Sequence, residues 1–141
     1  MTVCIPYEKH WTLDSVIGEE KVLLDELAVI LMKLDPASAR SNDILSAVAE
    51  ACLNAFEHGN RLIPTLPVQV YMVVDDGSYC FRIFDEGSGF TPILSSIDRT
   101  DTQQKEARGW GLLIMRNLAD RCECGRNDDH FYVELQFRRS E

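Results

Sequence analysis

The chain is predicted to fold as one α+β domain, a two-layer sandwich with helices on one face of a mixed, mostly antiparallel sheet. Three features carry that prediction: two early segments with helical spacing of apolar residues, two strand-like runs joined by Asp76-Gly77, and two closing strand-like runs. Amphipathic helices grouped apart from hairpin-linked strands bury their apolar sides against each other as two layers. No repeat, low-complexity tract or linker divides residues 1–141, so a single domain is expected. That length buries a core without help from disulfides or metals.

In order, Val3, Ile5, Tyr7 and Trp11 lie at near-alternate positions and predict an extended first segment. Asp14 is the expected N-cap of a long helix, whose apolar positions Val16, Leu23, Leu27, Ile30 and Leu34 recur until Asp35-Pro36 stops it. A second helix is expected from Ser41 or Asn42 to about Gly59-Asn60. Val68–Val74 and Tyr79–Phe84 read as a hairpin, because Asp-Gly suits a tight two-residue turn. Thr91 to Arg108 is polar and aperiodic. A helix from about Gly111 to Asp120 follows, then strands near Arg121–Gly125 and Phe131–Phe137 that share a turn through Asn127-Asp128-Asp129.

Composition excludes some functions. A net charge of −9 argues against nucleic acid as a partner, since phosphate contacts need clustered Lys and Arg. No apolar run approaches a membrane span and no signal-peptide core opens the chain, so no membrane is expected. Five cysteines at scattered positions form no disulfide framework, which favours a reducing cytoplasm. Cys122-x-Cys124 with His130 has the wrong gap for the usual zinc pair and no evident fourth ligand, so structural cysteines are the preferred reading.

On a helical wheel the second helix separates two sides. Ile44, Ala47, Val48, Ala51, Cys52, Ala55 and Phe56 share the apolar one, while Glu50, Asn54 and Glu57 fall within an arc of about 60° off it. Glu50 and Asn54 are one turn apart and point into the same space. A carboxylate there can take a proton from a hydroxyl, and an amide oxygen beside it suits magnesium, which prefers oxygen ligands. A plain solvated helix edge satisfies the same pattern, and His58 is equally compatible with a helix-end structural role.

Two glycine motifs follow. Asp85 ends a predicted strand and the chain turns through Gly87 and Gly89, where a flat ligand can approach backbone that has no Cβ. An Asp at such a place accepts the exocyclic amine of adenine and repels the carbonyl of guanine. The alternative is a surface turn, for which Asp and Gly are common. Arg108-Gly109-Trp110-Gly111-Leu112 opens the next helix, where unpaired amides and the helix dipole favour phosphate and Arg108 adds charge-assisted bonds. An ordinary loop-to-helix junction also fits. The sequence has no GxxxxGK[ST] loop, and Gly109-x-Gly111-x-x-Ile114 lacks the third glycine of a dinucleotide fingerprint.

Jointly, Glu50-Ala-Cys-Leu-Asn54 with His58-Gly59, Asp85-Glu-Gly87-Ser-Gly89-Phe90 and Arg108–Leu112 resemble the N, G1 and G2 boxes of the GHKL (Bergerat) ATPases, the superfamily of gyrase B and sensor histidine kinases. The short chain, with Asn54-Ala55 and Gly111-Leu-Leu-Ile-Met115, is most similar to the anti-sigma-factor serine/threonine protein kinases. The match covers roughly residues 45 to 120. The resemblance implies that Glu50 is the general base and Asn54 the Mg2+ ligand. It implies that Asp85 reads adenine with Gly87 and Gly89 shaping that wall, that Arg108, Gly109, Gly111 and Leu112 hold the phosphates of ATP, and that residues 91–108 form a mobile lid. It further implies an anti-sigma antagonist protein as phosphoacceptor, a sigma factor as a second partner, and homodimers. Many relatives carry Gly-Thr entering the last strand, where this chain has Asp129-His130-Phe131.

Two rival functions accompany that implication. One is a non-catalytic switch, in which ATP or ADP gates protein binding. The other is a catalytic fragment of a histidine kinase, disfavoured because His10 lies in a predicted extended segment and not on a dimerisation helix.

Overall fold

The computed structural model describes residues 4–36, 38–87 and 112–139. Its elements run β1 (Tyr7–Asp14), α1 (Glu20–Leu34), α2 (Ser41–Asn54), β2 (Pro67–Val74), β3 (Ser78–Asp85), α3 (residues 112–118), β4 (Arg121–Asn127) and β5 (His130–Arg138). After Asn54 the second helix continues directly into a π-helical turn, Ala55–Gly59. The strands form one sheet in the order β1-β2-β3-β5-β4. All four pairings among the described strands are antiparallel, so the parallel component of a mixed sheet is not found there.

Strand alternation decides which face is covered. Val68, Val70, Met72 and Val74 of β2, Phe81 and Ile83 of β3, and Val133, Leu135 and Phe137 of β5 point into one core. Leu23, Leu27 and Ile30 of α1, Ile44, Ala47, Val48, Ala51 and Cys52 of α2, and Leu112 and Met115 of α3 fill it from the helical side. Every residue assigned to the apolar side of the second helix by its spacing is buried.

One expected boundary is wrong. Asp14 caps no helix; it is the last residue of β1, paired with Pro67 of β2. The first helix begins at Glu20, after a turn in which Gly18 adopts φ +111 and donates its amide to the Glu20 carboxylate at 2.8 Å. Val16, expected on the helix's apolar side, is exposed in that turn. A capping residue is a local signal, and strand pairing over the full length of β1 overrides it.

The end of α1 is tied to the last strand by charge. Arg139 donates from Nε to Asp35 Oδ2 at 3.0 Å and from Nη2 to Oδ1 at 3.1 Å, and the Tyr79 hydroxyl donates to the same carboxylate. The Arg139 guanidinium holds Asp35 below the ordinary 3.8, against the opposing effect of burial, and Tyr79 adds to the lowering. A lowered carboxylate contributes stability that is complete above its unfolded value and lost as pH falls through the folded one. Asp35→Asn is therefore expected to destabilise the fold at neutral pH and to flatten the acid limb of stability below about pH 4, read by thermal unfolding across a pH series.

The opposite face of the sheet has no helices among the described residues. It carries a ribbon of rings: His10 stacks on Tyr71 with centroids 4.3 Å apart, Tyr71 meets Phe84 edge-on at 5.7 Å, and Phe84 contacts Tyr132 at 5.5 Å. Beside it, Arg82 donates to Glu134 at 2.6 Å. A groove of about 670 Å³ runs along this face past Gln69, Tyr71, Cys80, Phe84 and His130.

Candidate active site

The helix that carries Glu50 and Asn54 is amphipathic, with its buried side set by Ala51, Cys52, Ala55 and Phe56. Glu50 sits at the margin of that side. Partial burial raises its carboxyl above the ordinary 4.5, and the like charge of Glu57 raises it further. Asn54, one turn on, is only 5% exposed, yet its Nδ2 has no hydrogen-bond partner among the described residues. A buried amide left in that state is costly unless a ligand completes it. The Nδ2–H calls for an acceptor such as a phosphate oxygen, and the amide Oδ1, beside a partly desolvated carboxylate, is the oxygen type that suits a hydrated magnesium. The cation would add positive charge against the phosphates.

Asp85, the last residue of β3, is 2% exposed and pairs with Phe131. Its carboxylate is packed onto Gly59, at the end of the π-helical turn: a Cβ at Gly59 would overlap both carboxylate oxygens. A Cβ at Gly87 would overlap the Gly59 carbonyl oxygen. Gly87 donates its amide to Asp85 Oδ1 at 2.8 Å and fixes the carboxylate over the turn. These close approaches need glycine at both positions. The fold thus brings Asp85 and Gly87 against the end of the same helix that bears Glu50 and Asn54. Leu112 is 1% exposed and its side chain belongs to the core, so only its backbone is available to a phosphate. Gly89, Arg108, Gly109, Gly111 and the expected lid at 91–108 lie outside the described residues.

Two residues given no role by the sequence reading also build this site. In the sequence Gly59 reads as part of a motif and, with Asn60, as the end of a helix. Asn60 is 1% exposed. Its Nδ2 donates to Ser15 Oγ at 2.9 Å, Leu66 O at 3.0 Å and Pro67 O at 3.1 Å, and its Oδ1 accepts from the Glu86 amide at 2.7 Å. The local signal was slight: an Asn after Gly is an ordinary helix terminator. His58 lies 3.9 Å from the Glu57 carboxylate. Cys122, which the sequence set beside a zinc reading, has a thiol pushed by burial up to about 12, which disfavours a thiolate ligand.

The Glu50–Glu57 coupling has a measurable consequence. A raised carboxyl loses its basic form at a higher pH, so a reaction using Glu50 as base should fall off on its acid side above the ordinary Glu value. Glu57→Gln removes the like charge, and the acid limb of the rate should move to lower pH, leaving the alkaline side in place.

Residues 20–137 match the histidine kinase-like ATPase domain. An anti-sigma F factor of Geobacillus sp. strain WCH70 is 30% identical over 115 residues, covering 80% of this chain and 79% of the relative. A second, from Geobacillus thermodenitrificans, is 31% identical over 119 residues with the same coverage. The chain belongs to the histidine kinase-like ATPase family, on its anti-sigma-factor branch. Solved structures agree on the fold of this ATPase-type domain. The RsbU and RsbW domains of a Mycobacterium tuberculosis protein superpose with a TM-score of 0.64 at 20% identity, over 93% of this chain and 32% of that one. The Pseudomonas aeruginosa SiaB–SiaC complex gives 0.58 at 13% identity, over 93% of this chain and 89% of that one.

Proposed function

We propose that this protein is an ATP- and Mg2+-dependent serine/threonine protein kinase that regulates transcription by phosphorylating an anti-sigma antagonist protein. The observation that carries the reading is the buried Asn54 amide with an unsatisfied Nδ2, one helical turn from a carboxylate with a raised pKa. Anti-sigma F factors are similar to this chain over four fifths of its length, at 30% identity for one of them.

In this reading Asn54 ligates the magnesium, and Asp85 accepts the adenine amine with Gly87 and Gly89 lining that wall. The phosphates would be held by Arg108, Gly109, Gly111 and the backbone of Leu112. Glu50 orients the partner's hydroxyl and accepts its proton as the oxygen attacks the γ-phosphorus and ADP departs. Positioning and electrostatics supply most of the catalysis in such transfers. Incubation with γ-labelled ATP, magnesium and the lysate of its own cell tests the proposal: label should appear on one small partner protein. ATP-dependent capture of a partner with no label transferred would instead favour the nucleotide-gated switch.

The same reading includes a sigma factor as second partner and a homodimer. The sheet face that no helix covers among the described residues is where a second copy would dock: Tyr71 and Val73 are each 42% exposed there. Tyr71→Glu is expected to turn a dimer into a monomer by light scattering, with circular dichroism unchanged.

A further inference from the structure

We propose that Asn60 is a positioning residue for base selection: by holding the Glu86 amide it sets the placement of Asp85, and adenine preference depends on it. The inference rests on the ATP reading above and adds a residue to it. Three segments far apart in sequence converge on this one buried amide. Ser15 belongs to the turn after β1, Leu66 and Pro67 lead into β2, and Glu86 directly follows the adenine-reading Asp85. Ser15 Oγ itself donates to Leu66 O at 2.6 Å and closes the cluster. The donor half of Asn60 therefore anchors to the rigid start of the sheet, and its acceptor half reaches the peptide beside Asp85.

The backbone around Asn60 is held under strain. The chain leaves the π-helical turn through Arg61 at φ 53 and Leu62 at φ 57, a left-handed conformation that non-glycine residues adopt only when their surroundings compel it. The amides of Asn60 and Leu62 bond to Ala55 O at 2.8 Å and Phe56 O at 2.7 Å. Gly59 and Asp85 meet at close contact just before this exit, so a small shift of the Glu86 peptide re-aims the carboxylate. Hydrogen bonds are directional, and a purine amine and a purine carbonyl differ at this carboxylate by whether one bond forms or two lone pairs repel.

The test compares binding of ATP with inosine triphosphate, whose base carries a carbonyl where adenine carries its amine. Wild type should prefer ATP, and Asp85→Asn should lose that preference. Asn60→Ala should lower the ATP-to-inosine-triphosphate ratio by about tenfold, the scale of one hydrogen bond. Ser15→Ala breaks the other side of the cluster and should lower thermal stability with the ratio retained. If Asn60→Ala fails to fold by circular dichroism, Asn60→Ser carries the test, since its hydroxyl is too short to reach Glu86. An unchanged ratio in the folded Asn60 variant, or an equal fall in Ser15→Ala, would overturn the inference. A wild type without preference for ATP would instead defeat the Asp85 reading itself.

Discussion

Glu50→Gln is expected to lower phosphoryl transfer by about 10²–10⁴-fold, the usual contribution of a general base, while nucleotide binding stays close to wild type. The amide keeps the shape of the carboxylate and removes its ability to take a proton. Glu50 is partly desolvated and near the like charge of Glu57, and both effects raise its affinity for a proton. Such tuning brings a carboxyl nearer the working pH and improves it as a base. Single-turnover transfer to the partner, measured beside ATP binding by calorimetry, separates the two effects. Equal transfer by variant and wild type would remove Glu50 from the chemistry.

Gly59→Ala should be nearly as damaging, by a different route. The added methyl falls on the Asp85 carboxylate, and neither backbone is free to retreat. Asp85 is held in β3 by its pairing with Phe131, and the π-helical turn is held by the bond from Asn60 N to Ala55 O. Overpacking of this kind costs about 1–3 kcal/mol of stability. The displaced carboxylate should also weaken ATP binding by about 10²-fold, because the group proposed to read the purine leaves its place. Thermal unfolding gives the first effect and calorimetric titration the second. A stable variant with wild-type ATP affinity would show that Asp85 does not depend on the close approach of Gly59.

Regular elements were legible because their signals are local and periodic. Val68, Val70, Met72 and Val74 alternate, and all four are buried on one face. Asp76-Gly77 marks the β2–β3 turn, where Asp75 Oδ1 accepts the amides of Gly77 and Ser78 at 2.8 Å each. Helical spacing alone places Glu50 and Asn54 on one edge. Asp14 misled because a helix-capping residue and a strand-terminal residue look alike until the pairing with Pro67 is known. The π-helical turn was invisible, since nothing in Ala55–Gly59 distinguishes it from a continuing α-helix.

By itself the sequence determined the order of elements, the apolar side of the second helix, and a set of residue types suited to ATP and magnesium, all of which follow from spacing along the chain. Tertiary structure decided that Asn54 is buried with part of its amide unsatisfied, that Asp85 lies on Gly59, and that Asn60 binds Ser15, Leu66, Pro67 and Glu86 together. Burial and long-range hydrogen bonding depend on which distant segments pack together, and a pattern that repeats every two or four residues carries no record of that.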